Sequence, residues 1–325
     1  MPEETAGPAS ARDEFALIDL ILAEQPAADV AVGAGDDAAV VDPPPGTQLV
    51  VSVDTLVEGV HFLPGTPVGL AVRRAVGVSL SDLAAMGADA GPCLLSLTHP
   101  ELDPEDARAV GRGFARAAAG TGARLVGGNL ARGPLAVSIT VQGWVPAGAA
   151  LLRAGARPGD LLCVSGSIGA GGAGLATLRA APERLGAAAT SADAPPEDLR
   201  AYLAPTPRLA LGRALRGVAT ACIDVSDGLL ADLGHLARAS GVGACVELEQ
   251  VPAVGDAAAA IVAGDDYELL FTLAPEQGSA LADLARSGGV PVTAIGRIEA
   301  GAGVRLTAAG EPLDAPVDGG WKHFA

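Results

Sequence analysis

The sequence predicts an α/β (α+β) protein of two domains, and three observations carry that reading. The chain has 325 residues, about twice the ~150 of a typical domain. Strand-like runs alternate with helix-period segments in both halves, the pattern of mixed sheets covered by helices. Between the halves, residues 146–160 contain the turn-rich run RAGARPGD (153–160), so the domains are expected at 1–147 and 148–325.

Within 14–24, Phe15, Ile18 and Leu22 recur at three- and four-residue spacing beside the Leu17/Ile21 pair, which predicts an amphipathic helix. Two strand-like runs follow, 30–41 around a turn and 48–54, the second reading QLVVSVD with strong β-formers. The apolar stretch 70–86 has helix period and is closed by Gly87. Residues 103–119 read as another helix, 124–126 as a short strand entering Gly127-Gly128, and 135–141 as an alternating strand. In the second half a strand at 161–164 enters a glycine loop and a helix from about 174 to 179. The Ala/Pro/Ser-rich stretch 180–196 reads as a mobile surface loop. A strand at 220–225, a helix at 229–238 ended by Gly241 and a strand at 268–273 complete the pattern.

Composition excludes several functions. Half of the residues are hydrophobic but only 3% aromatic, so the core is built from Ala, Val, Leu and Ile and few rings are available for base stacking. The net charge of −17 repels nucleic acid. Residues 1–25 carry acids and lack the basic-then-apolar order of a secretory signal, so a cytoplasmic protein is expected. Two uncharged windows, 133–152 and 161–178, are long enough for membrane spans, yet alternation in one and glycines in the other make them strand and loop. Cys93, Cys163, Cys222 and Cys245 are scattered, with no CxxC and no HExxH. They read as small buried hydrophobes rather than a disulfide framework or zinc site.

The acids are concentrated at structural junctions. Asp36 and Asp37 lie in a glycine turn, Asp54 ends a strand, Asp82 lies within an apolar helix, and Asp224 and Asp227 flank a strand-to-helix junction. Each alone has a local explanation; Ser226 and Asp227, for instance, suit a helix cap. Asp82 resists that treatment, because an Asp among Leu80, Leu83 and Ala84 is costly unless paired. Convergence of these acids would call for a hard cation such as Mg²⁺, which prefers oxygen ligands and bridges to phosphates. The loop Gly169–Gly174 formally matches GxGxxG. It lacks the following strand with its acidic end, and no GK[ST] follows.

Seven runs occur together: GAGDDAAVV (33–41), VSVDTLVEGVHF (51–62), SLSDLAAMGA (79–88), LVGGNLARGPL (125–135), RAGARPGD (153–160), IDVSDGLLADLGH (223–235) and GDDYELLF (264–271). In order and spacing they resemble the thiamine-monophosphate kinase family of the aminoimidazole-ribonucleotide synthetase-like superfamily, over nearly the whole chain. The resemblance implies a two-domain fold whose N-terminal mixed sheet pairs across a homodimer. It implies transfer of the γ-phosphoryl group of ATP to thiamine monophosphate with several Mg²⁺ ions. By motif position, Asp37, Ser52, Val53 (through its carbonyl), Asp54, Asp82, Asn129, Asp224 and Asp227 correspond to metal ligands. Gly128, Asn129, Arg153 and Ser226 correspond to ATP contacts, and His61, Asp265 and Trp321 to contacts with the thiamine phosphate. No catalytic base is expected, since the acceptor is already an ionised phosphate oxygen. Two positions depart from the family pattern: Asn129 stands where Asp is usual and Asp265 where Glu is usual, one removing a charge and the other shortening a reach. Other ATP-dependent synthetases of the superfamily, a dinucleotide-dependent oxidoreductase using 169–174, and a passive divalent-cation binder are the alternative readings.

Overall fold

The computed structural model describes residues 13–26, 30–190 and 195–313. In the first half, α1 (Glu14–Ala23), β1 (Thr47–Val57), α2 (Val68–Ala85), β2 (Asp89–His99), α3 (Pro104–Ala118), β3 (Arg124–Arg132) and β4 (Ala136–Pro146) follow in order. Their strands form a four-stranded sheet in the order β1-β4-β2-β3, antiparallel except for the β2–β3 pair. Alternation does what period 2 requires: Val137, Ile139, Val141 and Val145 of β4 are buried on one face. One ladder row crosses the whole sheet, Asp54–Ile139–Leu95–Gly128. On the other face Leu49, Val51, Val53 and Leu94 are exposed.

The second half contributes β5 (Leu161–Ser165), α4 (Ala170–Ala180), α5 (Arg184–Thr190), α6 (Glu197–Leu203), α7 (Leu209–Leu215), β6 (Ala219–Asp224), α8 (Leu229–Ser240), β7 (Gly243–Glu247), α9 (Ala257–Ala260), β8 (Leu269–Leu273), α10 (Leu281–Gly288), β9 (Val292–Glu299), β10 (Gly303–Ala308) and β11 (Glu311–Leu313). The strand order is β11-β10-β7-β9-β5-β8-β6, with β10–β7 the parallel pair. All four cysteines are buried and free. No helix among the described residues is long and apolar enough to cross a membrane.

Helix α2 joins the halves. It is buried nearly all round, packing on β1 and β4 on one side and on α6, α7 and β6 on another. One apolar core therefore runs from Ile21 and Leu83 through to Leu215, Phe271 and Leu273. The approach is close because side chains are missing at the contacts. A Cβ on Gly212 of α7 would lie 2.1 Å from the Ala84 carbonyl oxygen of α2, and one on Gly77 would lie 2.5 Å from that of Pro205.

Several expectations are corrected. Residues 30–41 form no strand; isolated bridges, Val32–Val40 and Ala34–Asp36, tie a largely exposed loop. The helix expected from 174 starts at Ala170, because the Asp266 carboxylate accepts the Gly169 and Gly171 N–H groups (2.7 and 3.1 Å) and so caps it. The stretch 180–196 holds α5 rather than only loop, with 191–194 outside the described residues. The strand expected at 124–126 continues to Arg132.

Gly212→Ala is expected to lower the thermal midpoint by several degrees, since overpacking of this kind costs about 1–3 kcal/mol. A melt matching that of the wild type would show that α2 and α7 do not touch backbone to backbone.

Candidate active site

Three carboxylates from two sheets and one helix meet at α2. Asp54 projects from the inner face of β1 beside Ser79, which favours its charge, and its Oδ2 is buried with no hydrogen-bond partner. Asp82 accepts a short hydrogen bond from the Ser52 hydroxyl. Asp224, at the end of β6 and buried, accepts one from Ser81 at 2.7 Å. Burial, then the neighbouring Asp82, pushes the Asp54 carboxyl up to about 6. Burial, then Asp82 and Asp54, pushes Asp224 up to about 7. Asp82 is also raised by burial, against the opposing pull of Ser52 and Arg153. The Arg153 guanidinium is thus close enough to favour charge on both Asp82 and Asp224.

The loop after β6 extends this cluster. Asp232, in the first turn of α8, accepts the N–H groups of Ser226 (2.9 Å) and Asp227 (3.0 Å). This corrects the capping role expected of Ser226 and Asp227: the N-cap position of α8 is Gly228, with no side-chain cap bond, and the two residues before it are instead held by Asp232 reaching back from the first turn. Burial, then Asp224 and Asp227, pushes Asp232 up to about 7. Asp227, Asp232 and His235 present ligand atoms within 4.8 Å of one another, and burial, with Arg238 and Arg153, holds His235 below its ordinary value. Five acids in one electrostatic neighbourhood, one with a buried oxygen lacking any partner, form a hard-oxygen donor set suited to Mg²⁺.

The turn 264–268 packs directly on that loop, through Asp265 N–H to the Ser226 carbonyl (2.9 Å) and Tyr267 N–H to the Val225 carbonyl (2.8 Å). Asp265 and Tyr267 both have left-handed backbone, φ 71° and 53°. Every acid here has a separate tether. Arg74 and the Tyr267 hydroxyl bond Asp265 at 2.5 and 3.0 Å. Asp266 caps α4, and Glu268 takes Arg208 (Nε, 2.8 Å) and Ser165 (2.5 Å). The N-terminus of α4 is therefore filled by the chain's own carboxylate, which removes the seat a dinucleotide pyrophosphate would need.

The structure brings together Ser52, Asp54, Asp82, Arg153, Asp224, Ser226, Asp227 and Asp265. His61 lies at the Asp265 corner, its Nδ1 accepting the Val57 N–H (3.0 Å) and its carbonyl meeting the Tyr202 hydroxyl, while Tyr202 stacks on Arg74. Val53 points its side chain to the open face. Asp37 lies on the exposed 30–41 loop, its N–H bonded to Asp36. Gly128 and Asn129 lie on β3, the sheet edge opposite β1, and Asn129 pairs with Ser96 on the open face. Gly128 must be glycine, as a Cβ would sit 1.9 Å from the Leu95 carbonyl oxygen. Trp321 lies outside the described residues. Sequence reasoning missed Asp232, Ser81, Tyr202 and Arg74; a buried charge in an apolar helix, the signal used for Asp82, was equally present for Arg74.

Residues 35–145 match the AIR synthase related protein, N-terminal domain, and 157–309 the corresponding C-terminal domain. A thiamine-monophosphate kinase from Salmonella typhimurium is 41% identical, over 91% of this chain and 93% of its own length. The chain belongs to the thiamine-monophosphate kinase family. A family member from Caulobacter vibrioides is 37% identical over 99% of this chain and 94% of its own. The solved thiamine-monophosphate kinase of Stenotrophomonas maltophilia superposes with a TM-score of 0.79 at 40% identity, covering 92% of this chain and 98% of that one. AaThiL complexed with AMPPCP and TMP superposes at 0.72 and 30% identity, covering 98% and 99%.

Metal-free protein of this kinase family should show a defined pH response. Asp54, Asp224 and Asp232 have folded values of about 6 to 7 against an ordinary 3.8, so the native state binds the extra protons and these groups lose stability as pH rises from about 4 to 7. Mg²⁺ is expected to raise the thermal midpoint more at pH 8 than at pH 5, measured by thermal melts against EDTA. Equal shifts at both values would contradict binding at this cluster.

Proposed function

We propose that this chain transfers the γ-phosphoryl group of ATP to the phosphate of thiamine monophosphate, releasing thiamine diphosphate and ADP. The carrying observation is the cluster of Asp54, Asp82 and Asp224 between the halves, with the Asp54 oxygen left unpartnered. Names of relatives at 37–41% identity support the acceptor, as does a related structure holding an ATP analogue and TMP.

We assign Ser52, Asp54, Asp82, Asp224 and Asp227 to Mg²⁺, with Asp37, the Val53 carbonyl and Asn129 as further ligands. Bound there, Mg²⁺ supplies charge neutralisation between two polyanions and Lewis acidity toward the transferred phosphoryl group. Arg153 adds a fixed positive charge for the nucleotide phosphates, and Ser226, on the loop held by Asp232, offers its hydroxyl beside them. Gly128 and Asn129 complete the ATP contacts. His61, Asp265 and Trp321 hold the thiamine phosphate. No side chain is needed as a base, so alignment and charge carry the step.

A homodimer accounts for two features. Leu49, Val51, Val53 and Leu94 leave an apolar sheet face open, and Asn129 lies on that face at the edge away from Asp54. A second copy covering the face would bury the first and give Asn129 a neighbour. Division at 147/148 falls between Pro146, the end of the first sheet, and Leu161, the start of the second. A cytoplasmic setting is the one that supplies ATP.

Purified protein given ATP and thiamine monophosphate with Mg²⁺ should yield thiamine diphosphate and equimolar ADP by chromatography, and none with EDTA. Absence of both products with Mg²⁺ would overturn the acceptor assignment. Asp54→Asn and Asp82→Asn are each expected to lower turnover at least ~100-fold. Their metal-free melting at pH 8 should be unchanged or higher, because each removes a repelling charge.

A further inference from the structure

Arg74 is the one guanidinium among the described residues buried to 2% exposure. It leaves α2 on the same side as Ser81 and crosses to the second half, where it meets three groups. Its Nη1 donates to the Tyr202 carbonyl, its Nη2 to Asp265 Oδ1 at 2.5 Å, and its plane lies 4.2 Å from the centre of the Tyr202 ring. The Tyr267 ring is 5.9 Å away on another side. The Nε N–H has no hydrogen-bond partner.

This is an expensive way to join two domains. A buried ion pair seldom stabilises more than well-packed apolar side chains of the same volume, and an unmet buried donor adds to the cost. What the arrangement supplies instead is direction. Asp265 sits in left-handed backbone at the half-buried end of a turn whose next three residues are buried, its side chain 27% exposed. Two donors, the Arg74 fork and the Tyr267 hydroxyl, converge on a single oxygen, Oδ1. That leaves Oδ2 free of both and the carboxylate plane set by groups that are themselves immobilised in the core. Burial works against the Arg74 charge, and Tyr267, Asp265 and Tyr202 more than offset it, so the donor stays in place.

We propose that Arg74 is a positioning residue that orients the Asp265 carboxylate toward the thiamine moiety of the acceptor, so that recognition of the acceptor depends on a side chain that never touches it. The assignment rests on the kinase reading above and deepens its substrate contact. Arg74 also ties recognition to the cluster, since the helix that carries it carries Ser81 and Asp82 two turns on.

The test uses Arg74→Met, which keeps the aliphatic packing between the tyrosines and removes both forks. The change leaves the Tyr202 carbonyl and Asp265 without this donor, so the melt is expected to fall by several degrees with the variant still folded at assay temperature. KM for thiamine monophosphate is expected to increase at least ~10-fold while kcat and KM for ATP stay within about threefold. Calorimetric titration with thiamine monophosphate alone should show the same loss without turnover. In an Asp265→Asn background, Arg74→Met should add less than about twofold, because a residue acting through Asp265 has nothing further to orient. Should Arg74→Met not fold, Tyr267→Phe removes the second donor to Oδ1 and is expected to raise the same KM. Unchanged acceptor binding in Arg74→Met or Tyr267→Phe, equal losses for both substrates, or full additivity with Asp265→Asn would each overturn the proposal. Wild-type protein that binds no thiamine monophosphate would overturn the kinase reading along with it, whereas normal wild-type binding with an unaffected variant overturns this assignment alone.

Discussion

Electrostatic repulsion among Asp54, Asp82 and Asp224 opposes the packing of one half of the chain against the other, and helix α2 is what withstands it. The helix is apolar over most of its surface, yet it extends a serine or an acid to each neighbour: Ser79 to the Ile139 carbonyl on β4, Asp82 to Ser52 on β1, and Ser81 to Asp224 on β6. Hydroxyl donors lower the cost of charge where it is highest. The apolar remainder of the helix, continuous with the core of both halves, supplies the burial that holds these groups in register. Folding energy is thus used to keep anions closer than they would choose to be, a state that a divalent cation relieves.

The loops on the second half are arranged by the same economy of anchors. The last four residues of the run GDDYE are each tied elsewhere: Asp265 to α2, Asp266 to α4, Tyr267 to Asp265 and through its backbone to Val225 after β6, and Glu268 to Arg208 and Ser165. Such over-determination is what permits two non-glycine residues to remain at positive φ. Asp232 performs the equivalent service for Ser226 and Asp227 from inside α8.

Much of this could be read in advance, and the failures are instructive. Long elements were legible: α3 and β4 because one face of each is buried, and α2, buried nearly all round, because its apolar run is long and closed by Gly87. β2 was missed: Gly91-Pro92 breaks its alternation, and the ladder with β4 shifts register there. The short strands β7, β9 and β10 pair with partners distant in sequence, so their signal lies in the pairing rather than the run. Residues 30–41 misled in the opposite sense, since β-forming side chains with no neighbouring strand make only bridges. Within the site, Asp82 announced itself as a charge in an apolar helix, a signal equally present for Arg74, whose partners Tyr202 and Asp265 lie far along the chain. Asp232 acts only five and six residues back, on Asp227 and Ser226, but one more acid in the first turn of a helix looks like an ordinary helix-dipole residue.

A molecule that handles a triphosphate has reason to limit the places where phosphate can settle. Helix α4 opens from a glycine-rich loop, and Asp266 takes up its Gly169 and Gly171 amides within the core. Those amides are thereby not available to a phosphate. Helix end and turn are locked to each other by that carboxylate, so a change that displaces Asp266 moves the start of α4 and the Asp265 backbone together.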